Sequence, residues 1–188
     1  QEAVQAALQY GYRLIDTATM YSNHEDVRTA LQEWGEAAPR PFVVSKLSPQ
    51  PQCHGKTEPL AELDRTLEEL GLEQLDLWLM HSPSPGKVVD TWRAMLSARD
   101  AGKVRAVGVS NFGPAQIEGL KAAGCELPEV NQFELHCWNQ QRELVAYCER
   151  QGIVVMSFCP LARCKMFGQT ALKELAVQTD RTEAALAI

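Results

Sequence analysis

Between Asp16 and Tyr21 the chain carries a carboxylate, two hydroxyls and a phenol within six residues: Asp16, Thr17, Thr19 and Tyr21. The stretch just before them, Tyr12 to Ile15, is β-favouring and apolar apart from Arg13, so the group sits where a short buried strand gives way to a loop. Three later strand-like runs also end in a reactive or hydrogen-bonding side chain, at Lys46, His81 and Asn111. Each residue has a bland reading when taken alone. Tyr21 could sit on an amphipathic surface, Lys46 and Asp16 could form a structural ion pair, and His81 could be a satisfied core histidine. Four such residues at successive strand ends argue for more, because a fold that gathers those ends makes one site with Tyr21 at its centre as proton donor.

The elements that must position them alternate regularly. Residues 1–10 have helical spacing and stop at Gly11. After the strand ending at Asp16, Val27, Ala30, Leu31 and Trp34 form the stripe of a second helix. Strands are predicted at 42–46, 75–81, 104–110, 130–133 and 153–158. Helices are predicted at 58–70, 88–101, 114–123 and 140–150, with two helical pieces after 170 that meet near Thr179 and Asp180. Pro59 and Pro114 suit first helical turns, and a Pro- and Gln-rich loop covers 48–56. Six strand–helix repeats imply a parallel sheet with helices outside. A doubly wound sheet and a (β/α)8 TIM barrel both fit. No G-x-G-x-x-G follows the first strand, and polar residues end nearly every strand, where barrel enzymes build their sites; both features favour the barrel.

The chain's length fits one domain with a sizeable core, so residues 1–188 are read as a single domain. A net charge of −6 argues against a nucleic-acid partner. No apolar run reaches the length of a membrane span. The 6 cysteines (Cys53, Cys125, Cys137, Cys148, Cys159, Cys164) form no C-x-x-C pair and read as incidental thiols of a reducing compartment, the cytoplasm. His24, His54, His81 and His136 show no metal-ligand spacing, so no metal site is expected.

Several motifs fall in one order: D-T-A-x-x-Y at 16–21, S-K-L at 45–47, L-D-L-x-L-x-H-x-P at 75–83, G-V-S-N-F at 108–112, N-Q-x-E-x-H at 131–136 and C-P-L at 159–161. In this the chain resembles the aldo-keto reductases over nearly its whole length. The resemblance implies a (β/α)8 barrel and NADPH-dependent reduction of an aldehyde or ketone. It makes Tyr21 the general acid that protonates the carbonyl oxygen. A free phenol titrates near ~10, so the resemblance has Lys46 favour the phenolate and Asp16 keep the lysine charged. By the same resemblance His81 would orient the carbonyl, Ser110, Asn111 and Gln132 would bind the nicotinamide carboxamide, Phe158 would stack on the ring, and Leu161 falls in the segment that touches the cofactor's phosphates in the family.

The chain departs from the family's pattern at several points. Phe158 replaces a usual Tyr, which keeps the stacking face and loses the hydroxyl. Ser82 stands where many members carry Trp, implying a roomier or more polar substrate pocket. His24 replaces a common Glu after Y-x-N, with no effect assigned. A complete barrel takes ~250 residues, and against that pattern the first and last strands and the basic loop that grips the adenosine 2′-phosphate are missing, so the barrel reads as incomplete. The chain is then a segment of a longer enzyme, or a truncated, non-catalytic reductase-like subunit that binds or assembles with a protein partner. A doubly wound domain of other activity stays open as long as the strand ends are not shown to meet.

Overall fold

Six short runs rich in Val, Leu and Ile form parallel strands, and the Gly-terminated amphipathic runs between them form helices. In the computed structural model the order is α1 (Glu2–Gln9), β1 (Leu14–Asp16), α2 (His24–Trp34), β2 (Phe42–Leu47), α3 (Glu58–Leu70), β3 (Leu75–Met80), α4 (Val88–Asp100), β4 (Val104–Ser110), α5 (Pro114–Ala122), β5 (Val130–Glu134), α6 (Arg142–Arg150), β6 (Val154–Phe158), α7 (Thr170–Thr179) and α8 (Glu183–Ala187). The structure describes residues 1–35, 38–49, 57–83 and 87–188. Cys53, His54, most of the Pro- and Gln-rich loop and the end of the Pro-rich turn after His81 lie outside the described residues.

Every strand pairs parallel to the next, in the order β1-β2-β3-β4-β5-β6. A doubly wound sheet reverses its strand order at a switch point; this one does not. It also curls. Flat strands ~4.8 Å apart would put β1 and β5 about 19 Å from each other, beyond the reach of two side chains. Yet Gln132 Nε2 on β5 donates to Asp16 Oδ2 on β1 at 3.1 Å. The sheet is therefore a half-barrel, curled so that β5 faces β1 across its inner side. Within the described residues β1 and β6 are its two edges.

Strand alternation then sorts the side chains. Val44, Leu77 and Leu79 pack inside the curl with Ala106, Val130 and Met156. Their neighbours Val43, Leu47, Trp78, Met80, Val107, Val109 and Phe133 face the helices in the larger core. Gly108 falls on the inner face, where a Cβ would lie 2.6 Å from the Val130 carbonyl oxygen and 2.7 Å from Leu79 Cδ2. The absence of a side chain there lets β4 approach β5 closely.

The helices follow their sequence signals. α3 has Pro59 in its first turn, buries Leu63, Leu67 and Leu70, and ends at Gly71 in the left-handed conformation (φ 65°). α5 begins at Pro114, and Gln116 Oε1 accepts from the Gly113 N–H at 3.1 Å. At the N-terminal end of the sheet Asp76 is buried. Its carboxylate accepts from Arg40 Nη2, Arg105 Nη1 and the Val43 N–H, each at 2.8 Å, tying β2, β3 and β4 together.

Several boundaries move slightly from those predicted. β1 begins at Leu14, and β3 ends at Met80, leaving His81 as the first residue beyond it. α6 starts at Arg142, because Gln141 takes a left-handed conformation (φ 38°) after a bridge between His136 and Asn139. No helix among the described residues is long and apolar enough to cross a membrane.

Candidate functional site

The inner face of the half-barrel ends in polar groups at its C-terminal rim. Two-residue alternation continues the inner positions to Asp16 on β1, Lys46 on β2, His81 after β3, Ser110 on β4, Gln132 on β5 and Phe158 on β6. Neighbouring strands are staggered, with Lys46 opposite Leu79 and Gln132 opposite Met156. The rim therefore spirals and brings residues distant in sequence to one level.

Lys46 is the pivot. Its side chain is 2% exposed, and its ammonium donates to Asp16 Oδ1 at 2.6 Å and to the Thr17 carbonyl at 3.0 Å. A buried ammonium needs such partners, since an unpaired one costs several kcal/mol (about 3–5 when one partner is removed). Asp16 is held from both sides, by Lys46 on one oxygen and by Gln132 on the other. Gln132 Nε2 also contacts Met156 Sδ at 3.3 Å.

Tyr21 lies in a 3-10 turn, Thr19–Tyr21, closed by Ser22 in the left-handed conformation (φ 52°). The Lys46 ammonium sits 5.1 Å from its ring centroid, close enough for cation–π attraction. The His81 ring meets it edge-on, 5.9 Å between centroids at 83°. Tyr21 is 48% exposed, and no hydrogen bond to a described residue occupies its hydroxyl. It is available to a ligand at the rim.

His81 is half-buried, and its backbone N–H is tied to the Leu47 carbonyl at 3.3 Å. Burial, reinforced by the nearby Lys46 ammonium and only partly opposed by Asp16, holds its pKa below the ordinary imidazole value. These surroundings favour the neutral ring. Its Nδ1 is buried with no hydrogen-bond partner among the described residues. Orphaned buried N–H groups are rarer than under-satisfied acceptors, which favours the tautomer with the proton on Nε2.

Just beyond β4, Asn111 takes a left-handed conformation (φ 62°), one that Asn tolerates. Its backbone N–H donates to the Gln132 carbonyl at 2.8 Å, and its amide donates to the His81 carbonyl and Ser110 Oγ, both at 3.0 Å. Asp16, Tyr21, Lys46, His81, Ser110, Asn111 and Gln132 thus form one contiguous network. Phe158 ends β6 and is half-buried, and Leu161 precedes the turn Ala162–Cys164, whose three residues all have positive φ (49°, 53° and 58°). Among the described residues no hydrogen bond or ring contact ties either side chain to the network.

Spacing alone did not reveal the supporting residues. Thr17 donates its hydroxyl to Asn23 Oδ1 at 2.6 Å, and Thr19 donates to the Lys46 carbonyl at 3.2 Å. Asn131, adjacent to Gln132, faces the helices and donates to the Phe112 carbonyl at 2.8 Å, fixing the bend after Asn111. His24 is buried between Glu69 and Ser45, at 2.7 and 3.2 Å. A polar residue beside each strand end was the available signal for Asn131. His24 offered none, because Glu69 lies 45 residues away.

Residues 1–186 match the Aldo/keto reductase family. The chain is 39% identical over 183 residues to glyoxal reductase of Bacillus subtilis, an alignment covering 97% of this chain and 66% of that protein. It spans about two thirds of the length of the curated relatives it matches. Among solved structures, an aldo/keto reductase from Brucella melitensis superposes with a TM-score of 0.91 at 36% identity, covering 98% of this chain and 71% of that one. The Bombyx mori aldo-keto reductase in complex with NADP superposes with a TM-score of 0.86 at 33% identity, covering 97% and 66%. Family match, identity and superposition agree, and the chain belongs to the aldo/keto reductase family.

Proposed function

We propose that the protein reduces aldehydes or ketones to alcohols with NADPH, and that its six strands are part of a (β/α)8 barrel. The observation that carries the reading is the buried Lys46 ammonium, fixed by Asp16 and lying 5.1 Å from the Tyr21 ring. As a carbonyl gains a hydride, negative charge develops on its oxygen and a proton must be delivered there. Tyr21 has an unoccupied hydroxyl at the rim to deliver it, and the Lys46 charge stabilises the phenolate left behind. Neutral His81, with its proton on Nε2, donates a hydrogen bond that orients the carbonyl oxygen. Asp16 keeps the ammonium in place and charged.

The residues at the rim also fit the cofactor. A primary carboxamide offers two N–H donors and one oxygen acceptor. Asn111 and Gln132 already use their amide N–H groups on protein partners, which leaves both amide oxygens as acceptors. Ser110 Oγ accepts from Asn111 and keeps its own O–H to donate. Two acceptors and one donor complement a nicotinamide carboxamide. Phe158 would supply a flat face for the ring, and Leu161 leads into the left-handed turn that would lie near the phosphates. Bound NADPH supplies the hydride; the chain's own residues position the carbonyl and provide the proton.

The test is oxidation of NADPH by the full-length protein with glyoxal or an aromatic aldehyde. Turnover is expected, and Tyr21→Phe is expected to abolish it while NADPH still quenches protein fluorescence. Undiminished turnover in Tyr21→Phe removes Tyr21 from the mechanism.

A further inference from the structure

His24 is the first residue of α2 and is 4% exposed. Its Nδ1 lies 2.7 Å from Glu69 Oε2 on α3, and its Nε2 lies 3.2 Å from Ser45 Oγ on β2. A serine, an imidazole and a carboxylate in line resemble a nucleophile relay. Ser45, however, is 0% exposed, so its hydroxyl cannot reach a substrate. The chain of contacts has to act on structure, and what it touches is the segment carrying Tyr21.

We propose that His24 is a positioning residue for Tyr21, coupling α3 and the outer face of β2 to the loop that presents the phenol; this rests on the reading of Tyr21 as the proton donor. Residues 17–23 join β1 to α2, and three consecutive residues of β2 hold them. The Val44 carbonyl accepts from the Thr17 N–H at 2.9 Å, and the Lys46 carbonyl accepts from Thr19 Oγ1 at 3.2 Å. Ser45 Oγ meets His24. The first two contacts hold the loop before Tyr21, and the third holds it after. Alternation puts Lys46 inside the barrel and Ser45 outside, so one strand fixes the phenol's loop and the ammonium facing it together.

The chemistry of the contacts requires an imidazole. The Glu69 carboxylate accepts, so Nδ1–H donates to it, and Nε2 pairs with the Ser45 hydroxyl, which can donate or accept. A carboxylate at position 24, common in the family pattern, would here face Glu69 as a like charge. His24→Ala removes both contacts and leaves the downstream end of the loop held by the Thr17–Asn23 hydrogen bond.

The experiment combines kinetics with a probe of the loop. The full-length protein is labelled with meta-fluorotyrosine; residues 1–188 contain 4 tyrosines, and Tyr21→Phe identifies the Tyr21 resonance. In His24→Ala, kcat is expected to fall roughly 10- to 100-fold, the scale of a misplaced catalytic group. The NADPH Kd is expected to be unchanged, because Ser110, Asn111 and Gln132 lie on or just after other strands. The Tyr21 resonance is expected to shift or broaden while that of Tyr147 in α6 stays put. Glu69→Gln, which still offers Nδ1–H an acceptor, is expected to recover most of the turnover lost in Glu69→Ala. An unmoved Tyr21 resonance, or unchanged turnover per NADPH-binding site, overturns the proposal. Should His24→Ala not fold, Ser45→Ala removes one hydroxyl, and an unmoved Tyr21 signal there is equally fatal. If the unmodified protein oxidises no NADPH but Tyr21 still responds to His24, the reductase reading fails and the positional coupling stands.

Discussion

Replacing Lys46 with Met keeps most of the side chain's volume and removes its charge. The ammonium lies 5.1 Å from the Tyr21 ring centroid. At an effective dielectric constant of about 20, a unit charge at that distance stabilises a phenolate by about 3 kcal/mol. That corresponds to a rate loss on the order of 100-fold if the phenolate is fully developed in the transition state. The stability cost is smaller than for a sealed ion pair. The Asp16 side chain is 28% exposed and keeps Gln132 as a partner, so losing the cation is expected to cost about 1–3 kcal/mol. The assay is single-turnover hydride transfer after NADPH is bound, with NADPH affinity measured separately by fluorescence quenching. Hydride transfer is expected to slow on the order of 100-fold, with little change in affinity. A folded Lys46→Met protein that transfers hydride within about threefold of the unmodified rate would refute the electrostatic role. A loss of affinity equal to the loss of rate would place Lys46 in cofactor binding instead.

Three further outcomes follow from the geometry. His81 is expected to titrate by NMR below its ordinary value of about 6.5, because burial and Lys46 disfavour its charged form. Its contribution to stability is then complete above the unfolded value and is lost as pH falls through the folded one; a titration at or above the ordinary value contradicts the buried, neutral ring. Asp76→Ala leaves the buried Val43 N–H without an acceptor and separates two arginines from their partner. Urea unfolding should show a loss of about 2–4 kcal/mol, with turnover of the folded fraction retained, since Asp76 lies at the opposite end of β3 from His81. Gly108→Ala places a methyl group against the Val130 carbonyl and is expected to cost about 1–3 kcal/mol by chemical denaturation; a neutral result would mean that β4 and β5 separate freely.

Much of the molecule is already fixed by local sequence. Apolar runs of strand length alternate with Gly-terminated amphipathic runs, and that order dictates parallel strands with helical crossovers. Two-residue periodicity puts Asp16, Lys46, Ser110 and Gln132 on one face of their strands wherever those strands lie. Local chemistry likewise accounts for Pro59 and Pro114 in first turns and for Gly71 as a helix stop. The motifs identify the family for the same reason, since they are short and contiguous. Tertiary structure decided what depends on the curl of the sheet. The contact between Gln132 and Asp16 spans 116 residues and exists because accumulated twist and strand stagger bring β5 round to β1. The same curl turns Lys46 from a strand-end cation into a buried ammonium beside Tyr21. The role of His24 was invisible for a related reason. No spacing rule connects it to Ser45 and Glu69, which meet it only where α2 and α3 pack on the outer face of β2. Side-chain direction is set by backbone geometry within a few residues, but a partner far along the chain is set by how whole elements pack.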